Sequence, residues 1–277
     1  MSPIAENLVH APVPAPSRTL PQPWIARLTH PLSLRLVSLL IALAAWEFAG
    51  RLPVSPSFPP FSDTFLALIR ILADGSLIAA FGITLTPLAL GIAISGLVGV
   101  AIGVAMGLNE RVEWFGVPIF IVMQAAPLAA LVPLLVLAYG IGNTTKIFVV
   151  CIMAMPVIVL NSFKAVRHTP QSLLEMGRSF MGNRRQLISK IILPSATPVI
   201  FAGLRLGTAA GFVGAILAEL LVTPTGVGDI ITYNQSVAEY PTMYAAIAAV
   251  IAVSVLFIEF LAWIEHRFLR PEKRGAH

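Results

Sequence analysis

Few residues of this chain could perform covalent chemistry. Its five histidines (His10, His30, His168, His266, His277) are scattered, and its one cysteine, Cys151, sits inside an apolar run. One cysteine excludes a disulfide framework or a cysteine metal site within the chain, and nothing supports a histidine metal site. The run GIGNTTK at 140–146 falls short of a phosphate-binding loop, because Lys146 lacks the preceding glycine and the following Ser or Thr. Gly96, Gly99, Gly103 and Gly107 likewise lack the strand and GK[ST] ending of a phosphate cradle, and read as a surface for close helix approach. No catalytic residue, cofactor or metal is expected. What remains is charge within oily segments: Arg205, Glu219 and Glu259. Each would cost roughly 2.5–3.5 kcal/mol at the centre of an isolated membrane helix, so each should face protein or water. Arg205 and Glu219 lie about 21 Å apart along a helix and cannot pair within it.

The elements that must position these groups follow from composition. Charged residues make up 11% of the 277 and apolar residues 57%, against about 25% and 45–50% in soluble proteins. So little charge cannot cover a soluble surface of this size, and at ~20 residues per span the length allows five to seven membrane helices. The net charge of +5 does not point to nucleic acid, since the basic residues sit in loops between apolar runs. With the amino terminus inside, 14 Lys/Arg fall on the cytoplasmic side and three (Arg51, Arg70, Lys146) outside. That asymmetry obeys the positive-inside rule and makes both termini cytoplasmic.

The longest polar interruption is 169–206, and its first half reads as two short helices. Thr169 is placed to cap the first, with Pro170 at its opening position. Leu173, Gly177 and Phe180 follow at helical spacing with Leu174 and Met181 beside them, while Glu175, Arg178 and Ser179 face elsewhere. Gly182 and Asn183 break the run, and Asn183 with Gln186 forms a capping pair for the second helix. Pro194 is expected to end that helix. Such a pair of amphipathic helices could lie in the headgroups or dock a soluble partner.

This stretch resembles the cytoplasmic EAA loop of permease subunits in binding-protein-dependent ABC importers. That pattern is Glu-Ala-Ala, three residues, Gly, nine residues, Ile-x-Leu-Pro. Ile191, Leu193 and Pro194 match its end, and counting back places Glu175 on the family's Glu. Met176 and Gly177 stand where alanines are usual, and Met181 stands where glycine is usual, with Gly182 one position late. Further stretches are similar to the nitrate/sulfonate/taurine branch: Pro59-Pro60-Phe61-Ser62, 127–134, Tyr139-Gly140-Ile141-Gly142, Gly203-Leu204-Arg205-Leu206, Ala218-Glu219 and Gly226-Val227-Gly228. Together they cover roughly 55–268.

In order, 1–31 holds seven prolines and reads as a disordered tail rather than a cleaved signal peptide. Expected spans are 32–49, 81–108, 117–139, 147–163, 198–222 and 242–268, with a basic tail at 269–277. Trp46 should anchor the first span at the interface, and Glu47 should be solvated there. An amphipathic helix over 63–73 is stopped by Gly75. Pro127 and Pro133 interrupt the third span, as a broken helix lining a path or as a simple kink. Gly203, Gly207 and Gly211 give the fifth span a face for tight contact. Residues 223–240 are expected as a loop.

The expectation is an all-α polytopic membrane protein of about six helices, type I ABC importer permease-like, with one membrane domain over 32–268 and a coupling loop at 166–194. The resemblance implies a non-enzymatic permease for a small anionic solute of the nitrate, sulfonate or taurine type in the bacterial inner membrane. It implies as partners cytoplasmic ATPase subunits that bind the ATP, a periplasmic substrate-binding protein and a second permease copy, besides membrane lipids. The coupling residues it implies are Glu175, Met176, Gly177, Phe180, Met181, Gly182, Leu193 and Pro194. Path or gate positions are Pro127, Pro133, Arg205 and Glu219. Arg205 belongs to a stretch common to such permeases whatever they carry, which favours an architectural role over substrate contact; Glu219 could serve an outer gate or be solvated at the interface. For the turn between the two short helices, the displaced glycine predicts that Gly182 carries the positive φ and Met181 stays helical. A secondary transporter half is the main alternative; an intramembrane enzyme lacks residues to work with.

Overall fold

The computed structural model describes residues 31–52, 57–222 and 225–269, and the expected tails at 1–31 and 269–277 lie outside these except for Pro31 and Leu269. The described chain is helical, with no strand. Its elements are α1 (Pro31–Arg51), α2 (Phe61–Ala73), α3 (Ser76–Leu108), α4 (Glu110–Ala125), α5 (Leu128–Tyr139), α6 (Asn143–Arg167), α7 (Gln171–Ser179), α8 (Arg184–Leu187), α9 (Leu193–Leu221), α10 (Val227–Ser236) and α11 (Tyr240–Leu269). Among the described residues four helical runs are long and apolar enough to cross a membrane: 76–108, 143–167, 184–221 and 240–265. The bent pair α4–α5 would make a fifth. That count does not take in α1, whose 21 residues span about 31 Å, the thickness of a bilayer core.

α6 is the axis of the molecule, held between α3 and α9 through small residues. On α3, Gly91 lies against Val150, Gly99 against Ile158, Gly103 against the Val159 carbonyl and Ser162, and Gly107 against Val166. On α9, Gly203 meets Asn161, Gly207 meets Ile158, and Gly214 meets Met153. Backbones this close gain the dispersion contacts that hold helices together in lipid, where burial of apolar surface between helices gives little. A second cluster joins α2, α3, α10 and α11 through Ala67, Ile71, Leu77, Ala80, Val227, Ile231, Ala245, Ala246 and Ala249.

Two expectations are corrected, and one left open is decided. Of the two readings of the third span, the structure has the broken helix: α4 and α5 meet at 105°. The break is at Ala126–Pro127, where Ala126 is extended (ψ 140°) as a residue before proline prefers, while Pro133 lies within α5. The loop expected at 223–240 contains a helix, α10, folded back onto α9 and α11. Pro194 does not end the second short helix. α8 runs through a π-turn at Ile188–Ile192 into α9, and Leu193 N–H bonds five residues back to Ile188. The wider turn passes the proline ring without the clash an α-turn would force. Trp46 and Glu47, at the end of the first span, also serve the chain's own structure. Trp46 Nε1 donates to the Pro59 carbonyl at 3.1 Å, and its ring packs on Phe58, Phe61 and Tyr244. Glu47 accepts from Ser62 N (2.9 Å) and Ser62 Oγ (3.1 Å), so it caps α2 from a neighbouring helix.

Candidate functional site

The two ends of α6, about 36 Å apart along its 25 residues, carry the two places where function could reside. At the carboxyl end, α6 is closed by Thr169, whose hydroxyl donates to the Val166 carbonyl at 2.9 Å. Thr169 therefore terminates α6 rather than capping α7, whose N-cap is Pro170. α7 buries Gly177 under Leu187 and Ile191, with Leu173 and Leu174 half-buried beside it. Phe180 does not join that stripe. It is 82% exposed, Met181 is 94% exposed, and Met176 and Glu175 are exposed with them.

The turn that presents these side chains is tightly determined. Met181 N–H bonds to the Arg178 carbonyl (2.8 Å) and Gly182 N–H to the Gly177 carbonyl (3.1 Å), the two crossed bonds of a Schellman motif. That motif puts the left-handed residue at the first position past the helix cap, and Met181 occupies it at φ 53°. The expected shift of the turn is therefore overturned: Met181 carries the positive φ, and Gly182 does not. The register has no freedom to move. Asn183 is committed as N-cap of α8 through reciprocal bonds with Gln186, both 2.9 Å, and Gly177 is committed beneath Leu187. Gly182 has a different reason to be small, since a Cβ there would sit 2.8 Å from the Gly177 carbonyl oxygen. Leu193 and Pro194 open α9, behind this hairpin.

The opposite end holds a buried ion pair. Lys146 Nζ lies 2.7 Å from Glu219 Oε1, with 2% and 1% of the two side chains exposed. Thr84 Oγ1 stands 3.0 Å from both Glu219 oxygens, and Gly228 N–H donates to Oε2 at 3.0 Å. Thr84 also accepts from Val227 N–H (3.0 Å), and Lys146 donates a second bond to Thr225 Oγ1 (3.0 Å). A buried carboxylate is tolerable when its lone pairs are met in this way. The network ties α3, α6, α9 and α10 together. Lys146, expected in an outer loop, is thus enclosed, and Glu219 is not solvated at an interface.

The glycines around it are sized for it: a Cβ on Gly226 would overlap the Glu219 carboxylate and Thr84, and one on Gly228 would overlap Glu219 Cβ. Gly226 also holds φ 77°.

Arg205 pairs with Glu265 of α11 at 2.9 Å, joining α9 to α11, while Glu259 is exposed on α11. The fold does not gather Pro127, Pro133, Arg205 and Glu219 at one place. Sequence reasoning overlooked Lys146 and Glu265. The available signal was that each charge within a span demands a partner of opposite sign.

Residues 95–270 match the family described as the binding-protein-dependent transport system inner membrane component. The chain is 28% identical to the putative aliphatic sulfonates transport permease protein SsuC of Bacillus subtilis, over 83% of this chain and 84% of that one. It is 28% identical to the taurine transport system permease protein TauC of Escherichia coli, over 90% and 92%. It is 29% identical to the bicarbonate transport system permease protein CmpB of Synechococcus elongatus, over 68% of each. A chain of the MetNI methionine ABC transporter, solved in inward-facing conformations, superposes with a TM-score of 0.53 at 18% identity, covering 66% of this chain and 92% of that one. It shows the shared fold. With its family match across most of the membrane helices, this chain belongs to the inner membrane permease components of binding-protein-dependent ABC importers.

Proposed function

We propose that two copies of this chain form the path for a small anionic solute of the sulfonate, taurine or nitrate type, with the ATPase seated on the α7–α8 hairpin. The family assignment already makes the chain a multi-pass permease that works with an ATPase and a substrate-binding protein. The observation that carries the seating is the apolar surface of Met176, Phe180 and Met181, left exposed on a hairpin fixed at both ends by hydrogen bonds. A soluble face would not spend its most exposed positions on two methionines and a phenylalanine. Methionine adapts its shape to a partner's cleft, as a moving contact between subunits requires. Glu175 supplies a charge at the rim. ATP-driven closure of the ATPase pair would then push on α7 and α8, and the continuous run into α9 would carry that displacement into the spans.

The solute class is supported by the relatives, which include permeases named for sulfonates, taurine, bicarbonate and nitrate. The charge asymmetry of the loops supports a cytoplasmic α7–α8 hairpin and an outward-facing Lys146–Glu219 end.

Two experiments test these parts separately. Glu175→Lys and Phe180→Ser should abolish coupled uptake and release the ATPase from the purified complex while leaving membrane insertion intact. Normal uptake in both variants would refute the seating. For the solute, the cognate binding protein should be titrated with taurine, an alkanesulfonate, nitrate, bicarbonate and riboflavin. Tight binding of riboflavin alone would refute the anion and leave the coupling reading untouched.

A further inference from the structure

Between the hairpin and the ends of α3 and α6 lies a recess of about 330 Å³. Its walls come from the ends of α3 (Gly107, Leu108) and α6 (Val166, Arg167), from α7 (Leu174, Arg178), and from α8 and the π-turn (Arg184, Leu187, Ile188, Ile192). Three arginines, Arg167, Arg178 and Arg184, line it. Arg167 has one carboxylate near it, Glu113, at a loose 3.6 Å. Among the described residues no carboxylate comes within ion-pair distance of Arg178 or Arg184, and Glu175, one turn from Arg178, does not reach it. Positive charge therefore stands unneutralised over an apolar floor.

We propose that this recess binds the headgroup of an anionic phospholipid such as phosphatidylglycerol, which braces the hairpin against the membrane. Guanidinium groups recognise phosphate by charge and by paired N–H donors, and basic pockets between membrane helices at the cytoplasmic side suit such headgroups. A free phosphate would satisfy the arginines alone. The apolar floor of Leu174, Leu187, Ile188 and Ile192 matches instead the glycerol and first methylenes that accompany a lipid phosphate. The position agrees, because Leu108 and Arg167 are the last turns of two spans, where a headgroup would sit. Leu174 and Arg178 point to the opposite side of α7 from Met176 and Phe180, so one helix can take lipid behind and the ATPase in front.

The test is native mass spectrometry of the full chain in detergent, titrated with phosphatidylglycerol or phosphatidylcholine of matched acyl chains. Wild type should retain phosphatidylglycerol preferentially, and each of Arg178→Gln and Arg184→Gln should lower that preference about fivefold. Arg178→Lys with Arg184→Lys should keep most of it, which separates lost charge from lost fold. Equal retention of both lipids by wild type, or an unchanged preference in the glutamine variants, would overturn the proposal. Displacement of phosphatidylglycerol from wild type by millimolar inorganic phosphate would also overturn it, by assigning the recess to a soluble anion. Loss of the bound lipid on assembly with the ATPase would do the same, by giving the arginines to that partner.

Discussion

The two ends of α6 solve opposite problems. At one end, four elements converge on charges, and every polar atom of Glu219 and Lys146 is met inside the fold. At the other, a hydrogen-bonded hairpin leaves Phe180 and Met181 almost wholly bare. Polar groups are hidden where apolar ones would be expected, and apolar groups are displayed where polar ones would be. The first arrangement fixes helices within the chain; the second, on the proposed seating of the ATPase, is completed by another molecule. Substitutions at the ion pair should therefore act on stability, and substitutions on the hairpin on assembly.

The largest effect is expected at the ion pair. Glu219→Ala leaves the Lys146 ammonium buried and unpaired, a loss of roughly 3–5 kcal/mol measurable as reduced membrane yield and a lower unfolding midpoint. Replacing both partners, as Lys146→Met with Glu219→Leu, should recover most of that loss. If the double variant folds but does not transport, the pair has a role in the cycle beyond pinning. Gly228→Ala comes next. Its methyl would press on Glu219 Cβ and the Glu219 backbone, with a predicted cost of about 1–3 kcal/mol by the same unfolding measurement. Wild-type stability would show that α10 can back away from α9.

On the hairpin the sign reverses. Met181→Gly relieves a side chain in left-handed backbone and should stabilise the turn by about 1 kcal/mol, seen as slower amide exchange at Gly182 and Asn183. The smallest change in stability, within about 0.5 kcal/mol, is expected for Phe180→Ser, which removes a ring with little around it. The same variant should lose ATPase in a pull-down of the complex, so large stability loss with ATPase retained would break the contrast between the two ends.

Much of this was legible in sequence because it depends on local spacing. Glycines four apart on α3 and α9 had to face a neighbour, and Asn183 with Gln186 had to form a capping pair, since both patterns are set by the period of one helix. Low charge and long apolar runs determined the membrane class in the same way. The partners of charges were not local. Lys146 and Glu219 are 73 positions apart, and Thr84 is 135 from Glu219, so no periodicity within either helix could join them. Their meeting depends on the rotation of α3, α6 and α9 about their own axes, which glycine packing across all three decides. The turn at Met181 failed for a related reason. Residue preference favoured Gly182 for the positive φ, but preference is worth only about 1 kcal/mol. The register was held from outside the turn, by Gly177 beneath Leu187 and Ile191 and by Asn183 capping α8, and those contacts exist only once the two helices are packed.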